Sequence, residues 1–144
     1  AVIALNQFKR LNLFKKIRSI NRNAIIEKIK KSEKWNNQFT FFEPIKGLDP
    51  SWFGFPILIN EKLANKKKSF LQYLKKNKIE SRPIISGNFT KQECIKNYKF
   101  KISKKLTQSD KIEKLGFFIG LPTKKINQSK LNKLCDHLLN INKL

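Results

Sequence analysis

The first 33 residues repeat apolar side chains with helical spacing over a longer stretch than a domain of this size can cover. Lys, Arg and Asn occupy most of the intervening positions. The apolar positions are Leu5, Phe8, Leu11, Phe14 (or Leu13), Ile17, Ile20, Ile25 and Ile29. One uninterrupted helix of this length spans roughly 45–50 Å, at about 1.5 Å per residue. We therefore expect part of its apolar stripe to contact something outside this chain. A coiled coil is the alternative, although the spacing is not a regular heptad.

The remaining residues alternate short apolar runs with glycine and proline, which predicts short strands between helices. We expect strands near residues 39–43, 52–59, 80–85 and 117–122, and helices over 62–79, 107–115 and 126–144. Residues 98–102 are either a strand or an extended loop. Pro56 predicts an edge strand or a bulge, because proline cannot donate to a β-ladder. Thr107 or Ser109 is expected to cap the 107–115 helix and Gly116 to end it. The fold class predicted is α+β, a small and mostly antiparallel sheet backed by helices.

The amino-acid composition limits the functional classes to which the chain can belong. The chain has 144 residues, of which 40% are hydrophobic, enough for one domain with a core. The net charge of +22 raises a basic anion- or nucleic-acid-binding domain as an alternative. The lysines are spread over all faces, however, so we interpret them as solvated surface and do not expect a nucleic-acid partner. No apolar run approaches the roughly 18 residues that a membrane span needs.

The sequence offers few groups for catalysis. Its two cysteines, Cys94 and Cys135, have no metal-binding spacing, and we expect free thiols in a reducing cytoplasm. His137 is the only histidine, and we interpret it as a surface or packing residue. The chain also lacks methionine and begins within a helical pattern, which predicts a fragment of a longer protein. A processed N-terminus is the alternative.

The stretch "SRPIISGNF", residues 81–89, is the best candidate for ligand contact. Arg82 supplies a rigid guanidinium suited to phosphate or carboxylate oxygens, and Pro83 holds its backbone extended. Gly87 permits close approach of a ligand or another backbone, and the Asn88 amide can donate and accept hydrogen bonds. A surface arginine before an ordinary turn remains the alternative at this point.

Several segments resemble the DegT/StrS family of pyridoxal-phosphate sugar-nucleotide enzymes. They are "AVIALNQFKRLN" (1–12), "DPSWFGFPILI" (49–59), "IESRPIISGNFTKQE" (79–93) and "GFFIGLP" (116–122), in the order typical of the C-terminal part of that family. "SWFGF" followed by the "GNF" turn and "KQ" is most similar to the 3-dehydratases of 4-keto-6-deoxy sugar nucleotides. "TKQE" replaces a more usual "KQP"-like sequence, which leaves the subgroup and the substrate open.

The resemblance implies a fold-type-I enzyme that uses pyridoxal or pyridoxamine 5'-phosphate in deoxysugar and lipopolysaccharide biosynthesis. Residues 1–34 are then a helix bridging to an N-terminal cofactor domain that precedes Ala1, and residues 35–144 are the small C-terminal domain. The cofactor lysine, or the histidine that replaces it in the dehydratases, is expected upstream of Ala1. That residue decides between a dehydratase and an aminotransferase, so both activities stay open. A nucleoside-diphosphate sugar as substrate and a homodimer are implied as well. The substrate-binding positions carried over are Arg82, Ser86, Gly87, Asn88 and Phe89, followed by Ser51, Trp52 and Phe53, of which Trp52 and Phe53 are alternatively core aromatics.

Overall fold

The computed structural model describes residues 1–144 and contains five α-helices and four strands. The helices are α1 (Val2–Phe8), α2 (Leu11–Lys30), α3 (Lys67–Lys76), α4 (Thr107–Leu115) and α5 (Gln128–Leu139). The strands are β1 (Phe39–Phe41), β2 (Gly54–Ile59), β3 (Ser81–Arg82) and β4 (Gly116–Gly120). Short 3-10 helices cover Glu61–Lys66, Phe89–Lys91, Glu93–Asn97 and Asn140–Lys143. No helix is both long enough and apolar enough to cross a bilayer.

The four strands form one antiparallel sheet in the order β1-β2-β4-β3, which confirms the predicted α+β class. Alternate residues of β2 and β4 point to opposite faces of the sheet. The inner face carries Phe55, Ile57, Phe117 and Ile119, all buried. Helices α2, α3 and α5 pack on this face and complete one cluster of 17 buried residues. The core therefore lies on one side of the sheet only.

The opposite, outer face of the sheet is open around Phe118 and buried at its other end, at Leu58 and Gly116. Gly54, Pro56 and Phe118 lie on it and are half-buried. Phe53, just before β2, is 70% exposed, and Ile85, just after β3, is 86% exposed. Isolated exposed apolar side chains are ordinary, but a contiguous patch of them indicates a contact surface.

The predicted long N-terminal helix is interrupted at Lys9 and Arg10, between α1 and α2. Both residues keep right-handed helical angles, but the Arg10 amide donates to the Gln7 carbonyl three residues back, at 3.0 Å. The hydrogen-bonding pattern is therefore tightened to that of a 3-10 turn between the two helices. Helix α1 has no buried residue, and in α2 burial begins only at Asn21. The exposed apolar side chains of this region are Val2, Ile3, Leu5, Phe8, Leu11, Leu13 and Ile20.

Asn21 anchors α2 to the loop between β4 and α5. Its side chain is 3% exposed, and its Nδ2 donates to the carbonyl oxygens of Pro122 and Lys124, at 3.1 and 2.9 Å. Its Oδ1 accepts from the Ile126 amide at 3.0 Å. Because every polar atom of this buried side chain is paired, it fixes the helix without a desolvation penalty.

Two local predictions are wrong. Strand β2 is interior, between β1 and β4, and not an edge strand. Strand β1 ends at Phe41, which pairs with Ile57. Pro56 therefore has no partner residue in β1, and its missing N–H is tolerated on that side of β2. Helix α4 is not capped by Thr107 or Ser109: its N-cap residue is Leu106, which makes no side-chain capping bond. Residues 98–102 form a loop, and the third predicted strand shortens to Ser81–Arg82.

Gly116 ends α4 as predicted. Glycine is required at this position because there is no room for a side chain. Its φ of -82° is open to any residue, so no backbone strain is involved. A Cβ there would press against the Ile112 carbonyl oxygen and lie 2.8 Å from Ile84 Cδ1. The backbone oxygen cannot move aside without distorting α4.

We therefore expect Gly116→Ala to lower the free energy of unfolding by about 1–3 kcal/mol. Gly120→Ala is the matched control at the other end of β4, since a Cβ at that glycine meets nothing within 4 Å. The control should change stability by less than about 0.5 kcal/mol. Urea unfolding followed by circular dichroism measures both, and equal effects of the two substitutions would contradict this account.

Candidate functional site

Arg82 lies on edge strand β3, opposite Phe118 of β4. Its side chain is 65% exposed, and its Nε and Nη2 donate to Glu80 Oε1 at 3.0 and 2.7 Å. An exposed ion pair of this kind contributes little stability, so a ligand oxyanion can displace Glu80 at small cost. The guanidinium is thus held near the sheet and remains accessible.

Phe53 and Phe118 form an aromatic pair beside Arg82. Their ring centroids lie 6.3 Å apart with a tilt of 54°. A shallow cavity of about 170 Å³ is lined by Phe53, Glu80, Arg82, Phe118 and Gly120. A second cavity of about 250 Å³ adjoins it and is lined by Phe53, Gly54, Pro56, Ile84, Ile85 and Phe118. The guanidinium therefore stands at the margin of an apolar ledge on the outer face.

The structure separates the two aromatic residues that the sequence left as either site or core. Phe53 is 70% exposed and belongs to the ledge. Trp52 is half-buried, packs against the core cluster and has a positive φ of 46°. The guanidinium carbon of Arg22 lies 4.3 Å from the Trp52 ring centroid, a cation–π contact. Ser51 is exposed immediately before them.

The turn formed by Ser86, Gly87, Asn88 and Phe89 exposes some of its residues and buries others. Ser86 is exposed, and Phe89 is 52% exposed. Asn88 is 3% exposed: its Oδ1 accepts from the Thr90 amide and hydroxyl, and its Nδ2 donates to Asp110 Oδ1 at 2.8 Å. The Asn88 amide group, which was predicted to contact substrate, thus pairs with protein in this conformation. Gly87, at a φ of 57°, packs against Glu113 of α4.

Four of the predicted site residues, Arg82, Phe53, Ser86 and Gly87, line a continuous strip of cavities along the outer face. A third cavity of about 280 Å³ lies between the turn and α4, and its lining includes Ile84, Ile85, Ser86, Gly87 and Glu113. It shares Ile84 and Ile85 with the ledge, which in turn shares Phe53 and Phe118 with the Arg82 cavity. Arg82, Phe53 and the Ser86–Phe89 turn are therefore neighbours, although they come from separate parts of the chain.

Two arginines of α2 near this strip were not predicted. The Arg18 guanidinium carbon lies 6.0 Å from the Phe53 ring centroid, and its Nε is buried without a partner. Arg22 is 4% exposed and reaches the Phe42 carbonyl oxygen, with Glu43 Oε2 at 3.1 Å and Asn23 Oδ1 at 3.0 Å. The spacing of four residues, which puts Arg18 and Arg22 on one helix face, was the available signal.

Other polar groups lie away from the strip. Burial raises the pKa of the Cys135 thiol to about 11, so it stays protonated at neutral pH in its cavity between α2 and α5. His137 Nδ1 lies 2.7 Å from the Tyr73 hydroxyl, to which Asn140 Nδ2 donates at 2.9 Å. His137 is a packing residue, as predicted. Cys94 is a free, exposed thiol, and no three His, Cys, Asp or Glu side chains are grouped as a metal site requires.

These features define a small α+β domain whose open sheet face is bordered by arginine and aromatic side chains. The chain belongs to the DegT/DnrJ/EryC1/StrS aminotransferase family, whose sequence model matches residues 1–138. Among curated proteins, the lipopolysaccharide biosynthesis protein RfbH of Salmonella typhimurium is 36% identical over 73 residues, 51% of this chain and 17% of that protein. The GDP-4-keto-6-deoxy-D-mannose 3-dehydratase of Escherichia coli is 27% identical over 119 residues, 82% of this chain and 29% of that protein.

Solved structures of two enzymes share the fold. The E. coli GDP-4-keto-6-deoxy-D-mannose-3-dehydratase with bound hydrated PLP superposes with a TM-score of 0.77 at 24% identity, over 96% of this chain and 33% of that one. Helicobacter pylori PseC, an aminotransferase involved in the biosynthesis of pseudoaminic acid, gives 0.76 at 18% identity, over 96% and 35%. The chain thus spans about a third of the length of these structures.

Proposed function

We propose that this chain is the C-terminal part of a pyridoxal-phosphate-dependent sugar-nucleotide enzyme, a 3-dehydratase acting on a 4-keto-6-deoxy sugar nucleotide. The observation that carries the proposal is the family match over residues 1–138 together with relatives named as 3-dehydratases. The outer-face strip supports it, because an accessible guanidinium beside an apolar ledge suits a ligand with a charged diphosphate and flat rings.

The proposed substrate contacts are those carried over from the resemblance, with roles that follow from their geometry. Arg82 exchanges Glu80 for a phosphate or sugar oxygen, and Phe53 provides an apolar surface for a ring. Ser86 and Phe89 are the accessible members of their turn, while Gly87 and Asn88 shape it. Ser51 and Trp52 set the approach of the chain to Phe53.

The residues of this chain do not themselves fit a pyridoxal phosphate site. The outer face carries no histidine, since His137 pairs with Tyr73 elsewhere, and its ledge is apolar apart from Arg82 and Glu80 at the margin. We propose that the cofactor, which supplies the electron sink for the reaction, is held by an N-terminal domain of the same protein. We propose that the exposed apolar side chains of α1 and of the first turns of α2 contact that domain. We also propose that the complete enzyme is a homodimer in the cytoplasm.

The experiment that tests the proposed function is steady-state kinetics of Arg82→Ala in the complete enzyme. Loss of a guanidinium that orients substrate should lower kcat/KM at least about tenfold, which corresponds to roughly 1.4 kcal/mol. Glu80 is not needed by the substrate, so Glu80→Gln should retain activity. Lys133→Ala on α5, exposed and far from the strip, is the control for loss of one positive charge. Unchanged kinetics for Arg82→Ala would remove this residue from the site.

The second candidate is a sugar-nucleotide aminotransferase of the same family. It is favoured by the fold shared with the aminotransferase PseC. Both candidates use the same cofactor and substrate class, and product analysis distinguishes them. The dehydratase yields a 3-deoxy sugar, whereas the aminotransferase yields an amino sugar nucleotide when an amino donor is supplied.

A further inference from the structure

We propose that Asp110 and Glu113, two acids on α4, are positioning residues that fix the Ser86–Phe89 turn in its ligand-facing conformation. The proposal rests on the proposed function, in that the turn is taken to contact the sugar nucleotide. Neither acid lines the apolar ledge: Asp110 lines none of the three cavities, and Glu113 lines only the one between the turn and α4. We assign both a role through the turn, because both accept hydrogen bonds from Asn88.

Asp110 ties two points of the turn region to one carboxylate. Its Oδ1 accepts from Asn88 Nδ2 at 2.8 Å and from Lys91 Nζ at 2.6 Å. Asn88 in turn caps the 3-10 helix Phe89–Lys91 through its Oδ1. Hydrogen bonds from both the turn and the short helix therefore converge on one helical side chain.

Glu113 holds the backbone of the same turn. Its Oε2 accepts a hydrogen bond from the backbone N–H of Asn88, at 3.2 Å. A Cβ at Gly87 would lie 3.0 Å from Glu113 Cβ and Cγ, so only glycine lets α4 approach this closely. The glycine of the turn therefore makes room for this helix, in addition to supplying a positive φ of 57°.

The turn needs such support because part of its backbone is strained. Ile85, just before it, has a φ of 43°, a region that β-branched residues rarely adopt. The other bonds of this stretch are local: Gly87 N donates to the Ile84 carbonyl oxygen at 3.1 Å and Gln92 Nε2 to the Ser86 carbonyl oxygen at 2.9 Å, and the Asn88 and Phe89 carbonyl oxygens accept from the amides of Lys91 and Gln92. The bonds to α4 are those that link the turn to a distant element of the chain. Strained turns persist where surrounding contacts over-determine them.

Electrostatics favour the same arrangement. The chain has 10 acidic residues against 32 basic ones, and two of the acids face this single turn. Hydrogen bonds from Lys91 and then Asn88 lower the pKa of Asp110, and the bond to Asp110 raises the pKa of Lys91. Both groups are thus charged at neutral pH. A turn fixed before binding spares the ordering entropy that a loose turn loses on contact with its ligand.

The test compares Asp110→Ala, Asp110→Glu and the control Asp136→Ala in the complete enzyme. Asp136 is also an exposed acid with a lysine partner, Lys34 at 3.7 Å, but lies on α5. We expect Asp110→Ala to raise KM for the sugar nucleotide by about tenfold with kcat within about twofold, and Asp110→Glu to recover part of the loss. Asp136→Ala should leave both parameters unchanged.

Hydrogen exchange of the amides of residues 85–91 provides a readout that does not depend on activity. Exchange there should accelerate in Asp110→Ala and not in Asp136→Ala. Unchanged exchange overturns the proposal, and so does faster exchange with an unchanged KM, because the turn would then be held for no purpose in binding. If the wild-type enzyme turns over no sugar nucleotide, the proposed function fails, while exchange still decides whether Asp110 holds the turn.

Discussion

Replacing Phe117 by Ala should lower the free energy of unfolding by about 3–5 kcal/mol, the largest loss expected for one substitution in this chain. Phe117 is 0% exposed at the centre of the sheet's inner face. Its ring meets Phe70 of α3 edge-on, at a centroid distance of 5.9 Å and 81° between ring planes. Truncation leaves a cavity that neither a central strand nor a packed helix can close. Equilibrium unfolding in urea, followed by circular dichroism, measures the loss.

Phe118→Ala is the matched control, because the adjacent residue on β4 carries the same side chain to the opposite face. Phe118 is half-buried and contacts only Phe53 among aromatic rings. We expect it to cost less than half as much stability as Phe117→Ala, since much of its ring already contacts water. Similar losses for the two substitutions would show that the outer face is covered, and would contradict the open ledge.

Replacing Arg22 by Ala should cost about 2–4 kcal/mol of stability and disturb the candidate site as well. The substitution removes the donor to the Phe42 carbonyl oxygen, the bond to Glu43 and the cation over Trp52. Trp52 has a positive φ, and Phe53 of the ledge is the next residue in the chain. Loss of the cation should therefore loosen the ledge and weaken the core at once. Arg22→Lys should rescue little, because an ammonium cannot form the same forked set of bonds.

Urea unfolding and the fluorescence of Trp35 and Trp52, the only tryptophans, measure this effect. Arg10→Ala is the control: Arg10 is exposed, and its guanidinium carbon lies 4.9 Å from the Phe14 ring centroid. It should change stability by less than about 0.5 kcal/mol. An Arg22→Ala protein as stable as the Arg10→Ala protein would exclude the tethering role of Arg22.

Much of the fold could be predicted because its signals are local. The three-to-four spacing in α2, α3 and α5 and the apolar runs of β2 and β4 identify each element from a few neighbouring residues. Predictions that depended on neighbouring strands were less successful. Pro56 argued for an edge strand, and only the early end of β1 at Phe41 explains its place in an interior one. The end of one strand cannot be deduced from the sequence of another.

The candidate site, too, has one part that could be predicted from the sequence and one part that could not. The segment around Arg82 and the Ser86–Phe89 turn was identified from its own residues, since arginine, proline, glycine and asparagine each restrict local chemistry. The inward orientation of Asn88 was not foreseen, because it depends on Asp110 of α4, which approaches only through the antiparallel pairing of β3 with β4. The proximity of Arg18 to Phe53 likewise depends on how α2 crosses the sheet.

The amino-acid sequence by itself determined the class of the fold and the family of the chain, because periodicity and short motifs are properties of adjacent residues. The tertiary structure alone decided which face of the sheet stays open, which of the arginines border it and which amide is turned inward. Those properties arise from contacts between residues far apart along the chain, whose distances are set by strand order and helix packing.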